Sequence, residues 1–293
     1  MATLRELKAR IGSVASSQKI TGAMKMISSA KMHKAEQSLK RLQPYRKGIE
    51  EIIGNILGAD TEFSSPLMEQ RPVNNITIVV FGSDDGLCGA YNINIFKLLQ
   101  SKLAEIRETY GADVRVTIYP IGKKMLKAVS KIASPGVDVR SRDGVDSKTT
   151  GEGVKVFVDF LTKSFESGET DKVDFLYMNF QSVSRQRPSF GQLLPVTQEA
   201  FAPAQGKNTA KPYIFEPSPE AIFNSALPML LLAVMQDIFT ENRASEQAAR
   251  VMAMQSANDN ATKLLEQLQL EYNKLRQQSI TTELLDILGG QIR

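Results

Sequence analysis

Long runs of apolar residues spaced alternately three and four apart occupy both ends of this 293-residue chain, and nothing else in it constrains the fold as much. The first run opens on Thr3-Leu4-Arg5-Glu6, a capping box in which the threonine hydroxyl accepts from an amide three residues on and the glutamate reaches back. Leu4, Leu7, Ile11 and Val14 then share one helical stripe. The stripe falters at Gln18 and Thr21 and resumes, shifted, at Ile20, Ala23, Met24 and Ile27. Pro44 is expected to break or kink the helix, yet Ile49, Ile52, Ile53, Ile56 and Leu57 continue its pattern. A helix over most of 3–57 would be about 80 Å long at the α-helical rise per residue.

The last run opens on Ser218-Pro219-Glu220, which reads as an N-cap, a proline at the first helical position and an acid in the first turn. Pro228 is expected to kink the helix early. From Ala244 the seam runs through Ala248, Val251, Met254, Asn258, Ala261, Leu265, Leu268, Tyr272 and Leu275. Gly289-Gly290 stop it after about 100 Å. Two such helices at opposite ends of one chain predict an antiparallel coiled coil, with two helices of an ordinary bundle as the competing arrangement. The narrowness of the seam favours the pair, because one stripe is buried and the other faces are left to solvent or partners. Small and polar seam residues (Ala23, Ser28, Ala244, Ala248, Asn258, Ala261) suit slender packing.

Between them lies a different pattern, which makes the chain α/β with three pieces: an N-terminal coiled-coil helix over 1–58, a globular Rossmann-like domain over 74–215 and a C-terminal coiled-coil helix over 218–293. The unbroken β-branched run 76–81 reads as a buried strand, with further strands at 114–119 and 173–178. Helices are expected over 90–109, 123–132 and 151–166, and 203–212 reads as a polar loop. Alternating strands and helices predict a mostly parallel sheet.

Chemistry is poorly represented. One cysteine, Cys88, excludes an internal disulfide and a Cys-based zinc cluster, and one histidine, His33, disfavours a His-based metal site or a Ser-His-Asp triad. No catalytic, cofactor-binding or metal-binding residue is therefore assigned. The turn 82–89 stands where α/β folds bind phosphate, but it carries neither phosphate-binding glycine motif and holds Asp84 and Asp85, which repel phosphate. It reads as a tight, glycine-supported, solvated turn, and Cys88 as a structural, partly buried thiol. The start of the chain lacks a signal peptide's apolar core, and the apolar stretch 227–234 is too short to span a bilayer. The first helix is strongly basic, with Arg5, Lys8, Arg10, Lys19, Lys25, Lys31, Lys34, Lys40, Arg41, Arg46 and Lys47. That face fits an acidic protein partner better than nucleic acid, since no aromatics interleave it for stacking.

Several stretches resemble a family. Gln18-Lys19-Ile20-Thr21, Ala23-Met24 and Ser29-Ala30-Lys31-Met32 resemble the N-terminal helix of the gamma subunit of F-type ATP synthases. Gly86-Leu87-Cys88-Gly89 with Asn92-Ile93-Asn94 resembles its middle turn. The run from Ala244 to Arg250, Tyr272-Asn273-Lys274 and the stretch from Ile280 to Ile287 resemble its C-terminal helix and closing signature. The matches keep their order along the whole chain.

The resemblance implies a non-catalytic rotor shaft without a cofactor. Its partners would be a ring of three alpha and three beta subunits, an epsilon subunit and the membrane ring of c subunits. Lys19, Met24 and Lys25 match the region facing the beta subunits' acidic lever loops, and Glu246 and Arg250 match polar positions near that level. Arg276, Gln277, Thr281 and Glu283 match an upper contact, and Leu284, Leu285, Ile287 and Leu288 the apolar tip. The implied place is the cytoplasmic face of a bacterial inner membrane, reached only through partners, and the absence of a transit peptide fits that origin. Gly22, Asp85 and Gln291 depart from the family's usual residues. A small-molecule enzyme with helical arms and a non-rotating scaffold remain the alternatives.

Overall fold

A computed structural model describes residues 3–57, 65–111, 113–197 and 215–290. Two compact units divide the chain, Met1–Ser29 with Arg250–Arg293 and Ala30–Ala249. Helix α1 (Leu4–Leu57) and helix α5 (Pro219–Gly290) each contribute to both. Both helices start as their sequences dictate. The Thr3 amide donates to Glu6 Oε2 at 2.8 Å and the Glu6 amide to Thr3 Oγ1 at 3.2 Å, closing the capping box. The Ala221 amide donates to Ser218 Oγ at 3.2 Å. Neither proline breaks its helix: Pro44 and Pro228 lie inside continuous helices. Pro44 is exposed, so the carbonyl it leaves without an amide donor faces water.

In the unit Ala30–Ala249 a five-stranded sheet has the order β3-β2-β1-β4-β5. Strands β1 (Asn75–Phe81), β2 (Arg115–Ile121), β3 (Val137–Val139) and β4 (Lys172–Ser182) are parallel, and β5 (Arg185–Leu194) returns antiparallel along β4. The expected strands and their parallel pairing are present. β3 and β5 are additional to the expectation, while the loop expected at 203–212 lies outside the described residues. Helices α2 (Tyr91–Tyr110), α3 (Lys123–Val129) and α4 (Glu152–Glu166) complete the layers, and residues 130–132 form a 3₁₀ turn.

Residues alternate across the sheet. Ile76, Ile78 and Val80 of β1 join α2 and α3 residues (Tyr91, Ile95, Leu99, Met125) in one core. Val79 and Phe81 join Phe157 and Leu161 of α4, Phe223 to Phe239 of α5, and Ile49, Ile53 and Ile56 of α1 in another. Burial on both faces is why β1 reads as an unbroken apolar run. It also explains the hydropathy of α5, which contains a window apolar enough to cross a membrane; 56% of that window is buried inside the fold. Phe223, Leu227, Leu230 and Leu231 spend that apolarity on the core.

Candidate functional site

The turn after β1 is filled by its own side chains. Asn92 Nδ2 donates to Ser83 Oγ at 2.7 Å, the Ser83 amide donates to Asn92 Oδ1 at 3.0 Å, and Ser83 Oγ donates to the Asp85 carbonyl at 2.8 Å. Cys88 is buried, with its Sγ 3.5 Å from Asn92 Nδ2. A side chain added at Gly82 would lie 2.4 Å from Met125 Cβ, and one at Gly122 2.8 Å from the Ser83 backbone. Gly82 and Gly122 thus serve close packing.

Asp84 departs from the expected solvated turn. Its carboxylate accepts from the Lys123 amide at 3.0 Å and from the Ser147 hydroxyl and amide at 2.6 and 3.3 Å. Burial pushes its pKa up, but those donors and the nearby Lys148 outweigh it and hold the group below the usual carboxylate range. It clamps the turn to the start of α3 and to the loop before α4. Asp85 lies 3.7 Å from Lys148, an ion pair within the chain. A depression lined by Thr77, Thr117, Tyr119, Arg140 and Phe160 has a volume of about 20 Å³, room for about one water.

In the unit Met1–Ser29 with Arg250–Arg293, the two helices run antiparallel. Gln18 Nε2 donates to Thr262 Oγ1 at 2.7 Å, and Thr21 Oγ1 lies 3.5 Å from Asn258 Oδ1. A Cβ added at Gly22 would lie 3.5 Å from the same Asn258 oxygen, an ordinary contact, so Gly22 borders the polar layer without being required by it. The expected shift of the stripe is not there. Leu4, Leu7, Ile11, Val14, Gln18, Thr21 and Ser28 keep one phase and are all buried or half-buried. Ile20 and Ile27, 59% and 56% exposed, point away, as does Ala23. Here Gln18, Thr21 and Ser28 take seam positions while Ile20 and Ile27 face out, because the three-four spacing continues straight through Gln18 and Thr21. Replacing Asn258 by leucine is therefore expected to stabilise this pair by about 1 kcal/mol, because a partly wet polar layer becomes apolar packing. A lowered denaturation midpoint would show instead that the amide outperforms leucine there.

Continuing that register brings Leu4 level with Arg276. Beyond it Gln277, Thr281 and Glu283 are exposed, as is Arg276 itself, and Leu284, Leu285, Ile287 and Leu288 are 55–62% exposed. Lys19 is exposed, and Met24 and Lys25 are half-buried. Glu246 and Arg250, expected near the same level, are only 4% and 6% exposed. Arg46, counted with the basic face, instead lies 2.7 Å from Glu50 and 3.3 Å from Asp237. Ile20, Met26, Ile27 and Met252 are exposed apolar residues that lie out of phase with the seam.

A family model described as ATP synthase matches residues 3–291. The ATP synthase gamma chain of Parabacteroides distasonis is 39% identical over 99% of this chain and 98% of its own length. The chain belongs to the ATP synthase gamma chain family. The gamma chain of Bacteroides thetaiotaomicron is 37% identical over the full length of both, and that of Polynucleobacter asymbioticus 34% over 99% of each. Among solved structures, a chain of the Euglena gracilis mitochondrial ATP synthase superposes with a TM-score of 0.64 at 21% identity, covering 98% of this chain and 93% of that one. A chain of the Tetrahymena thermophila central stalk and c-ring gives 0.56 at 18%, covering 81% and 99%. As a gamma chain, this protein is a non-catalytic subunit with a role in the central stalk of the synthase.

Proposed function

We propose that this chain is the turning shaft of a bacterial F-type ATP synthase, coupling ion flow through a membrane ring of c subunits to ATP synthesis or hydrolysis on three alpha and three beta subunits. The observation that carries the reading is the antiparallel helix pair with a thin polar seam, which leaves a basic and apolar outer face and an α5 end with every residue from 280 to 288 exposed. Lys19, Met24 and Lys25 meet the acidic lever loops of the beta subunits, with Ile20, Met26 and Ile27 beside them. Arg276, Gln277, Thr281 and Glu283 make the upper contact, and Leu284, Leu285, Ile287 and Leu288 turn in an apolar sleeve. The piece 74–215 works with epsilon against the c-ring, and the pieces 1–58 and 218–293 form the shaft. The complex places the chain on the cytoplasmic face of the inner membrane, with no membrane segment of its own in use and no nucleic acid bound.

Physical sense supports this sorting. A shaft needs contacts that are weak singly and remade at each step, and exposed ion pairs contribute only about 0–1 kcal/mol. Copurification with stoichiometric alpha, beta and epsilon subunits is the direct test, and a lone, enzymatically active monomer would sink the reading. Within the complex, Lys25→Glu is expected to change folding stability by less than about 1 kcal/mol while lowering proton-driven ATP synthesis several-fold. Normal synthesis and torque in that variant would count against the assignment of Lys25.

A further inference from the structure

The ladder between β1 and β4 ends at the pair Val80 and Leu176. Beyond it, one side chain from α5 bridges the two strand continuations. Asn242, only 2% exposed, donates from Nδ2 to the Gly82 carbonyl at 3.2 Å and accepts the Met178 amide at Oδ1 at 3.4 Å. Its amide thereby replaces the sheet bond that the diverging strands no longer make. The Tyr91 hydroxyl of α2 donates to the same Oδ1, and lies 3.1 Å from the Asn242 carbonyl. On the flanks, Ser245 Oγ donates to the Met178 carbonyl at 2.9 Å, and Arg243 donates to the Ser147 and Thr149 carbonyls at 3.4 and 3.0 Å. Asn179 Nδ2 donates to Glu241 Oε2 at 2.7 Å.

Within a single short band of α5, polar side chains are thus aimed at β4, α2, the turn after β1 and the loop before α4. N-terminal to that band, α5 meets its surroundings through Phe223, Leu227, Leu230 and Leu231, and through one ion pair, Asp237 with Arg46 of α1. Apolar contact is non-directional and resists separation better than sliding or turning. Hydrogen bonds to fixed backbone groups are directional and set both the height and the azimuth of a helix. We infer that Asn242 is a positioning residue for torque: it fixes α5 rotationally to the sheet, so that turning force on the α/β part enters the helix through this joint. The inference rests on the shaft reading given above.

The test uses the assembled synthase with wild-type, Asn242→Ala and Tyr91→Phe chains. The ring of alpha and beta subunits is immobilised, a bead is attached to the α/β part, and torsional stiffness is read from the bead's angular fluctuations. A wild-type complex that does not rotate sinks the shaft reading itself. With rotation established, Asn242→Ala is expected to lower the stiffness about twofold or more, and Tyr91→Phe, which removes one of the bonds, to lower it less. A residue needed only for folding would reduce the yield of complex and leave the stiffness of each assembled complex unchanged. Wild-type stiffness in both variants overturns the inference. Should Asn242→Ala not assemble, Tyr91→Phe decides alone: softened supports the joint, unchanged overturns it.

Discussion

Phe239→Ala is expected to cost the α/β unit about 3–5 kcal/mol, the range for truncating a fully buried aromatic ring. Phe239 is 2% exposed and stands edge-to-face on Phe81 of β1, with centroids 4.8 Å apart and planes at 88°. It meets Phe157 of α4 in the same manner, at 6.4 Å and 89°. Such ring pairs contribute about 0.5–1.5 kcal/mol each beyond their buried area. The hole left by alanine would be walled by three different elements, and none can close it without dragging its own backbone. With domain stabilities of about 5–15 kcal/mol, a loss of this size removes much of the margin. Chemical denaturation of the isolated chain measures it; a loss under about 1 kcal/mol would mean the rings repack. Phe239→Leu keeps most of the volume and should cost clearly less, which separates cavity formation from a general intolerance at the site.

The three rings also show which parts of this fold can be read from sequence. Phe81 closes an unbroken apolar run and Phe157 sits on an amphipathic helix, so both elements were legible from period and composition. β5 was not. Its sequence, Arg185-Gln186-Arg187-Pro188-Ser189, has the charges and proline of an edge strand, whose outer side needs neither apolar residues nor a full set of amide donors. β3 has three residues, too few for any period to register. In α1 the elements were right and the phase was wrong. Gln18 and Thr21 looked like breaks because a seam is expected to be apolar, and Ile20, Ala23 and Ile27 looked like its continuation. A helix that must present a surface to others inverts that expectation locally, and sequence spacing alone does not say which stripe the chain keeps for itself.

The sites divide in the same way. Lys19 and the end of α5 are accessible where a contact residue should be, because charge and apolar residues with no internal partner stay outside. Glu246 and Arg250 are charged and yet covered, which their residue types alone do not announce. Asn242 carried no motif. Its role exists only because β1 and β4 part company at one point in space, and a helix from the far end of the chain passes there.

Asp174→Asn is expected to raise stability at pH 7.5 and to flatten its dependence on pH. Asp174 is fully buried in β4, opposite Ile78 of β1 and Gln192 of β5. Lys172 Nζ lies 3.2 Å from its Oδ2, but off the hydrogen-bonding direction, so neither carboxylate oxygen accepts an aligned hydrogen bond. Burial pushes the acid's pKa from 3.8 up to about 6, against the pull of Lys172 and Lys102. The folded state therefore holds this proton more tightly than the unfolded chain. Its stabilising contribution is complete below about pH 4 and is lost as pH rises through about 6, a loss on the order of 2–3 kcal/mol by pH 7.5. An asparagine has no charge to bury, and Lys172, 17% exposed, keeps some solvent and lies 6.0 Å from the Phe190 ring centre. The neutral amide still needs partners and gives up the ion pair, so the net gain at pH 7.5 should be about 1–2 kcal/mol. Asp237 and Glu241 are also raised by burial and would tilt the wild-type curve the same way; the difference between variant and wild type isolates Asp174. Denaturation midpoints measured from pH 4.5 to 8 should draw apart as pH rises through 6. Parallel curves would mean that the carboxylate is ionised at no cost, and that the lysines satisfy it better than its unaligned geometry allows.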